Sequence, residues 1–525
     1  MDSNNWDLVI AGGGLGGCAA ALSACANGLR VFLTEETEWI GGQVTSQGVP
    51  PDEHEWMEEF GSTKRYRNYR NKVRETYLNN LKVKKAGEHF NPGNGLVSSI
   101  CHDPRVTLHV LNEMLLPYVL TNQLTIALNT KAVSVERKES TIDYMNVENV
   151  KTGTVSQVAA PYFIDATEAG DILPLANIEY VTGAEAKSET GEAHALDIAD
   201  LEDIQAFTYV LGMEYCEGEN HTIPEPEMYN FWKEFHPEIW PDKLLSLYAP
   251  HPITKEKREY TLFREKSGFP LWEYRRIFAK ELYDTELKAG DITLMNWPQN
   301  DYFLGNIYDV TNEEKEKHLN GGKQLSLSLL YWLQTEAPRP DGEKGYPGLK
   351  LRKDIFDTED GLAKAAYIRE SRRIKAEYTI VEQDVSPDFN EGKTGKKYED
   401  RVGIGSYSID LHPSMTGRNY VDIPALPFHI PLGALLPKDA DNLLAGCKNI
   451  GTTHITNGCY RLHPTEWNIG EACGALAAFC LKNRIRPKAV RENKQKLAEF
   501  QNELRKDGFE LEWPEAFYEK DEADF

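Results

Sequence analysis

The chain is poor in several things, and each absence excludes a class of function. It has no C-x-x-C pair, no internal repeat and no low-complexity tract. Its apolar runs all fall well short of the roughly 18 residues a bilayer span needs. Eight cysteines are scattered along 525 residues, a spacing that suits neither an iron–sulfur cluster nor a dithiol redox centre. Cys18 and Cys25, like Cys473 and Cys480, sit two helical turns apart and read as buried thiols in a reducing compartment. Basic charge is also short: 58 Lys and Arg stand against 82 Asp and Glu, a formal net charge of −24. Such a surface repels phosphate backbones and anionic membranes, so neither nucleic acid nor a membrane is expected as a partner. His454 and His463 match no compact ligand motif, and no metal is expected. A first strand beginning at Asp7 leaves no room for a signal peptide, which predicts a cytoplasmic protein.

What is present begins at that strand. Asp7-Leu8-Val9-Ile10-Ala11 runs into Gly12-Gly13-Gly14-Leu15-Gly16-Gly17 and on into an alanine-rich segment. The pattern predicts a buried parallel strand, a glycine turn and a helix whose N-terminus offers free N–H groups to a diphosphate. Gly12 permits the tight turn, Gly14 admits the diphosphate to the backbone, and Gly17 lets helix and strand pack closely. G-x-G-x-x-G alone is weak, but its surroundings agree. Gly28 suits a helix C-terminus, Arg30–Thr34 reads as a second apolar strand, and Glu35 follows 23 residues after Gly12. A carboxylate at that point can accept the hydroxyls of an adenosine ribose.

A second glycine pair, Gly41-Gly42, followed by Gln43, lies just past the ribose acid. Glutathione-reductase-type flavoproteins carry such a doublet here, so the dinucleotide reads as FAD. Further along, Asp103-Pro104 predicts an N-cap and first helical residue. Leu124–Leu128 predicts another parallel strand, and 141–160 a small β-meander. The chain returns as Tyr162-Phe163-Ile164-Asp165-Ala166-Thr167-Glu168-Ala169-Gly170-Asp171, which resembles the second dinucleotide motif of FAD enzymes.

These stretches together resemble the FAD-dependent oxidoreductase family related to heterodisulfide-reductase flavoprotein subunits. The resemblance also rests on Arg369–Ile374, Gly405–Pro413, Ile430–Leu435, Asn442–Cys447 and Arg461–Thr465. It implies an α/β fold: a Rossmann-like FAD-binding domain of glutathione-reductase type with a β-meander, plus a large inserted α+β substrate domain. The expected division is 1–171 and 426–485 for FAD, 172–425 for substrate, and 486–525 as a helical tail. It also implies that the backbone near Val133 meets the adenine, that Asp171 belongs to the second motif, and that the last helix turns its N-terminus, near Thr465, toward the flavin. Where many flavoproteins have Ala-Gly-Asp, this chain has Ala445-Gly446-Cys447-Lys448-Asn449, and Asn449 is the expected substitute for the missing acid. The iron–sulfur cysteines of the reductase relatives are absent, so that activity does not carry over.

Candidate chemistry falls on a few residues. His412 and His454 lie in motif-bearing loops and are the expected bases. Arg369, Arg372 and Arg373 are expected on one helix, with Arg372 or Arg373 facing in to bind a carboxylate or the flavin. Asn457 and Arg461 are expected to line the site. Five of the ten tryptophans fall at Trp232, Trp240, Trp272, Trp297 and Trp332, where core packing competes with a role as platforms for sugar or aromatic substrates. Without a second G-x-G-x-x-G, electrons are expected to come from a small organic substrate by hydride transfer to flavin N5, with a separate acceptor. The alternatives are a flavin monooxygenase or halogenase, a tRNA-modifying flavoprotein, and a non-catalytic flavin scaffold. The sequence leaves open whether the chain forms a dimer.

Overall fold

The computed structural model describes residues 6–84, 87, 89–284, 290–415 and 421–519. A five-stranded parallel sheet lies at its centre, in the order Leu443–Ala445, Tyr162–Asp165, Leu8–Ala11, Val31–Thr34, Leu124–Ala127. The three middle strands are buried throughout, as expected where helices cover both faces. The strand order brings three chain segments that are remote in sequence to one sheet end: the glycine turn after Ala11, the 166–171 turn after Asp165, and the 446–452 loop after Ala445. A ligand crevice at the carboxyl ends of such strands is the general rule for open α/β sheets.

Two helices pack on this sheet backbone to backbone. The glycine-turn helix, Leu15–Ala26, is buried along nearly its whole length, as is the C-terminal helix His463–Asn483 to Cys480. A Cβ at Gly470 would collide with the Gly16 carbonyl, and one at Gly474 with the Ala20 carbonyl. Two glycines four apart thus let one helix rest directly on the other. The meander follows as Thr130–Lys138, Thr141–Asn149 and Thr154–Val158, antiparallel, with a register shift at Val133. Asp103 caps the helix Pro104–Leu120, its side chain accepting from Arg105 N–H at 2.8 Å.

A second hydrophobic core forms among residues between Ile204 and Ile368. Around it stand a four-stranded antiparallel sheet, in the order Arg276–Phe278, Ile292–Met295, Leu211–Tyr215, Leu349–Leu351, and the helix Asn312–Thr335. All five tryptophans singled out above are buried in this core. They pack it and present no open platform.

The basic stretch Lys64–Asn80 is a helix that turns Arg70 and Arg74 inward. Arg70 pairs with Glu53 at 2.9 Å and with Glu58 at 2.6 Å. The tail differs from the single closing helix that its sequence suggests over 487–513. It forms two helices, Pro487–Glu492 and Lys494–Lys506, because Asn493 takes an extended backbone and caps the second through Gln495 and Lys496 N–H. Among the described residues, no helix is long and apolar enough to cross a membrane.

Candidate active site

Gly12 adopts φ +96°, a region other residues rarely enter, and a Cβ there would collide with the Ala166 carbonyl. Gly14 is the N-cap of Leu15–Ala26 and lies close against the Glu168 carboxylate. A Cβ at Gly17 would collide with the Gly12 carbonyl. The tight turn at Gly12 and the close packing at Gly17 are as the spacing predicts. The Gly16 N–H, in the first turn of the helix, is taken by Glu466 at 2.9 Å, and Gly13 N–H donates to Glu35 at 3.2 Å. Glu35 also accepts from Thr37 N–H at 2.9 Å and Thr37 Oγ1 at 2.7 Å. Its partners are neutral donors, and burial pushes its carboxyl up to about 7. Asp165, closing the next strand, is likewise buried, accepts from Thr167 and Ile172, and is pushed up to about 7 by burial.

Beside the glycine turn, Gly42 touches Glu168, and the Gln43 side chain donates to Glu466 and, at 3.1 Å, to the Arg461 carbonyl. Lys448 is fully buried between Glu168 and Glu466. Burial works against its ammonium, but Cys447, Glu168 and Glu466 outweigh that and hold its pKa well above the usual lysine range. The glycine motif named Gly12, Gly14 and Gly17; Glu168 and Lys448 fall inside the stretches 162–171 and 445–449, but no spacing assigns them, or Glu466, a role. Asn449 braces its own loop: Nδ2 donates to the Asp165 carbonyl at 3.0 Å and Oδ1 accepts from Cys447 N–H at 3.2 Å. Asp171 points away toward Arg372 at 3.2 Å. Val133 is the extra residue of the meander's register shift. Thr465 lies in the first turn of His463–Asn483, packed beside Gly405.

The chemistry-bearing residues gather at the other side of Arg461. His412 Nδ1 is 2.6 Å from Asp301, and its Nε2 is 3.3 Å from Asp410. Asp301 pairs with Arg369 at 2.9 Å and accepts from Thr208 Oγ1 at 2.6 Å. Arg461 reaches Asp410 at 3.0 Å and the Tyr367 hydroxyl at 2.9 Å. His454 Nδ1 is 2.9 Å from Glu370, which also takes Arg373. Arg373 extends to Glu185 at 2.8 Å. Gln205 joins the two halves: its N–H donates to Glu370 at 3.0 Å, its Oε1 accepts from His412 N–H at 3.2 Å, and its Nε2 donates to Asn457 at 3.2 Å. Burial raises the carboxyls of Asp301, Asp410 and Glu370, but the facing cations outweigh it. His412 and Arg461 hold Asp410 far below the usual range, Arg369 and His412 hold Asp301 down, and His454 and Arg373 hold Glu370 down. Glu370 in turn raises the His454 ring against the effect of burial.

The structure corrects one expectation here. Arg369, Arg372 and Arg373 share no helix; the backbone is irregular to Arg372, and Arg373–Ile374 pairs antiparallel with Tyr180–Val181. Their guanidinium groups have three destinations. Arg369 goes to Asp301, Arg372 to Asp171 and Asp309, and Arg373 to Glu370 and Glu185. One helical face could not reach all three.

A glycine turn that leaves no room for a Cβ at Gly12, Gly16 or Gly17, an acid at the end of the second strand, and buried polar atoms without partners among the described residues at Gln43 Oε1 and Glu168 Oε1 fit a bound dinucleotide. Fold and cradle together fit a dinucleotide-binding α/β protein. The family profile described as FAD dependent oxidoreductase matches residues 7–504, and the chain belongs to that family. Its cofactor is accordingly FAD.

Solved structures with some likeness include L-proline dehydrogenase from P. horikoshii, at 18% identity over 35% of this chain and 24% of that chain, with a TM-score of 0.18. Mycobacterium smegmatis Sdh1 in complex with UQ1 matches at 12% identity over 43% of this chain and 42% of that one, with a TM-score of 0.25. CabE, an aromatic hydroxylase from angucycline biosynthesis, matches at 12% identity over 42% and 40%, with a TM-score of 0.25. The chain spans less than half the length of each, and likeness of that extent carries no substrate or acceptor across. No curated protein sequence matches.

Proposed function

We propose that the protein oxidises a small, uncharged organic molecule, with His412 taking the departing proton and a separate acceptor restoring the cofactor. The observation that carries this reading is the His412–Asp301–Arg369 chain, coupled through Gln205 to His454–Glu370–Arg373 and adjoining, through Arg461, the Gln43 side of the glycine cradle. Bound FAD supplies the hydride acceptor. Gly12, Gly14, Gly17, Glu35, Gly42 and Gln43 would hold it, with Val133 and Thr465 flanking and Asp171 and Asn449 bracing the loops. Residues 1–171 and 426–485 form the cofactor part of this proposal, and 172–425 the substrate part.

In the tautomer that donates from Nδ1 to Asp301, His412 has Nε2 unprotonated and able to take a substrate proton; the imidazolium so formed is held between Asp301 and Asp410, 3.3 Å from Nε2. Thr208 and Arg369 hold Asp301 in turn. Among the described residues, each arginine here already faces a carboxylate: Arg369 meets Asp301 at 2.9 Å, Arg461 meets Asp410 at 3.0 Å, and Arg275 meets Asp52 at 3.4 Å. Cations committed in this way favour a neutral substrate over a carboxylate.

The test is anaerobic mixing of the FAD-loaded protein with panels of alcohols, sugars, amines and carboxylic acids, following flavin absorbance. Bleaching by a neutral hydroxylated compound supports the reading. Bleaching confined to acids overturns the substrate class, and reduction only by nicotinamide with oxygen entering product points to a monooxygenase.

A further inference from the structure

Seven of the eight cysteines are buried; Cys216 is not. It follows the strand Leu211–Tyr215 and opens a short turn carrying Glu219 and His221. One ligand atom from each of Cys216, Glu219 and His221 lies within 4.8 Å of the others. His221 Nε2 and Glu219 Oε2 are 2.6 Å apart.

The turn is fixed at both ends. Cys216 N–H donates to the Gly348 carbonyl at 2.8 Å and His221 N–H to the Pro347 carbonyl at 2.7 Å. A Cβ at Gly348 would collide with the Cys216 carbonyl. From the side, the buried Gln334 amide donates to the His221 carbonyl at 2.8 Å and accepts from Ile223 N–H at 2.9 Å. Within the turn, Glu219 N–H donates to the Cys216 carbonyl at 3.2 Å. The backbone that presents the three side chains is therefore ordered before any ligand arrives.

From this geometry we propose that Cys216, Glu219 and His221 form a zinc site, three protein ligands with the fourth position left to water. A thiolate, an imidazole and a carboxylate are the donor set tetrahedral Zn²⁺ takes, whereas Mg²⁺ and Ca²⁺ prefer oxygen alone. Donors about 2.0–2.3 Å from a tetrahedral ion stand roughly 3.5 Å from one another. The present cluster, all within 4.8 Å, needs only small side-chain rotations, with Glu219 and His221 moving apart.

Binding replaces the thiol hydrogen by the metal: an S–H bond breaks, a Zn–S bond forms, and the proton leaves to water without any change of oxidation state. The site lies beyond one end of the strand Leu211–Tyr215; Thr208, which holds Asp301, precedes the other end. The ion would thus lie remote from the candidate active site.

The test uses the full chain with FAD bound, stripped of metal by a chelator that is then removed. Titration with Co²⁺ should give one equivalent with thiolate-to-cobalt absorption in the difference spectrum, displaced by Zn²⁺, and Zn²⁺ should raise the melting temperature. Cys216→Ser and His221→Gln should each weaken Zn²⁺ binding by at least about tenfold, with flavin content unchanged. Stoichiometric binding that survives both substitutions, no thiolate band, or affinity no better than millimolar overturns the proposal. A change in flavin content on either substitution overturns the remoteness of the site.

Discussion

Two groups of buried carboxylates in this molecule are handled in opposite ways. At the glycine cradle, Glu35 and Asp165 are met by backbone N–H groups and threonine hydroxyls, and burial lifts both to about 7. Around His412 and His454, Asp301, Asp410 and Glu370 are met by guanidinium and imidazole groups, which hold all three below the ordinary carboxylate range. Depth does not explain the difference, since Asp165, Asp301 and Glu370 are all at most 1% exposed. The partners do. Carboxylates facing neutral donors suit the neutral hydroxyls of a nucleotide ribose, whereas carboxylates locked to cations fix the position of side chains that handle protons.

Replacing His412 should have the largest effect. His412→Ala should lower kcat/KM for the substrate by ~10²–10⁴-fold, the usual contribution of a positioned base. Flavin content and melting temperature should hold, because the ring is partly exposed and its loss leaves Asp301 paired with Arg369. Stopped-flow flavin reduction across pH gives the deciding readout: a lost ionisation supports a proton-handling role, and an unchanged profile breaks it.

Next in size, Asp301→Asn should cost about 3–5 kcal/mol of stability, because it leaves the Arg369 guanidinium buried without its counter-charge. Glu35→Gln should cost no more than about 1–2 kcal/mol, since only hydrogen bonds to neutral donors are disturbed. Urea midpoints of the two variants, measured side by side, test whether the two groups differ as described. Equal losses would collapse the distinction.

How far this contrast can be read from sequence differs between its two halves. The cradle is local: strand, glycine turn, helix and ribose acid fall within 28 residues from Leu8 to Glu35, and each residue type has a steric or electrostatic reason to be where it is. The cap at Asp103 is equally plain. The network around His412 is assembled from residues that no spacing relates. Asp301 and Gln205 come from irregular segments of the insert, and they meet His412 across 111 and 207 residues of chain. The Arg369–Arg373 stretch has a helical look because charged residues recur within one turn. Full burial and three separate partners decide its path instead. The tryptophans were ambiguous for the same reason: an aromatic in a core and one in an open site have the same local sequence.

The Glu35 carboxyl also makes FAD affinity a probe of the cradle. A group that must be ionised to accept two hydroxyls, yet sits near 7, has to lose a proton on binding. FAD should therefore bind the apoprotein more weakly as pH falls from 8 to 6. Glu35→Gln should weaken binding by roughly tenfold at pH 8, the worth of about one hydrogen bond to a charged group, and should flatten the pH dependence. Equilibrium titration by flavin fluorescence quenching measures both. A steep dependence that persists in the variant would assign the proton elsewhere, with Asp165 and Glu192, also near 7, as the next groups to replace.

The smallest effect concerns the apoprotein's own stability, and its sign runs against the usual carboxylate. The folded-state pKa of Glu35 lies above its ordinary value, so the native protein holds this proton more tightly than the unfolded chain. The stabilisation is complete below the ordinary carboxylate range and is lost as pH rises through about 7. Three histidines oppose it: burial lowers His54, His102 and His429 to about 4, so each costs stability as pH falls below its ordinary value. Those terms are shared by wild type and Glu35→Gln and cancel in their difference. Between pH 8 and 6, that difference in unfolding free energy should shift in favour of the wild type on acidification by about 1 kcal/mol, less than the full 1.4 per unit because the group is only part titrated across the window. A flat difference would mean that Glu35 meets a cation in solution, and the two groups of carboxylates would then be one.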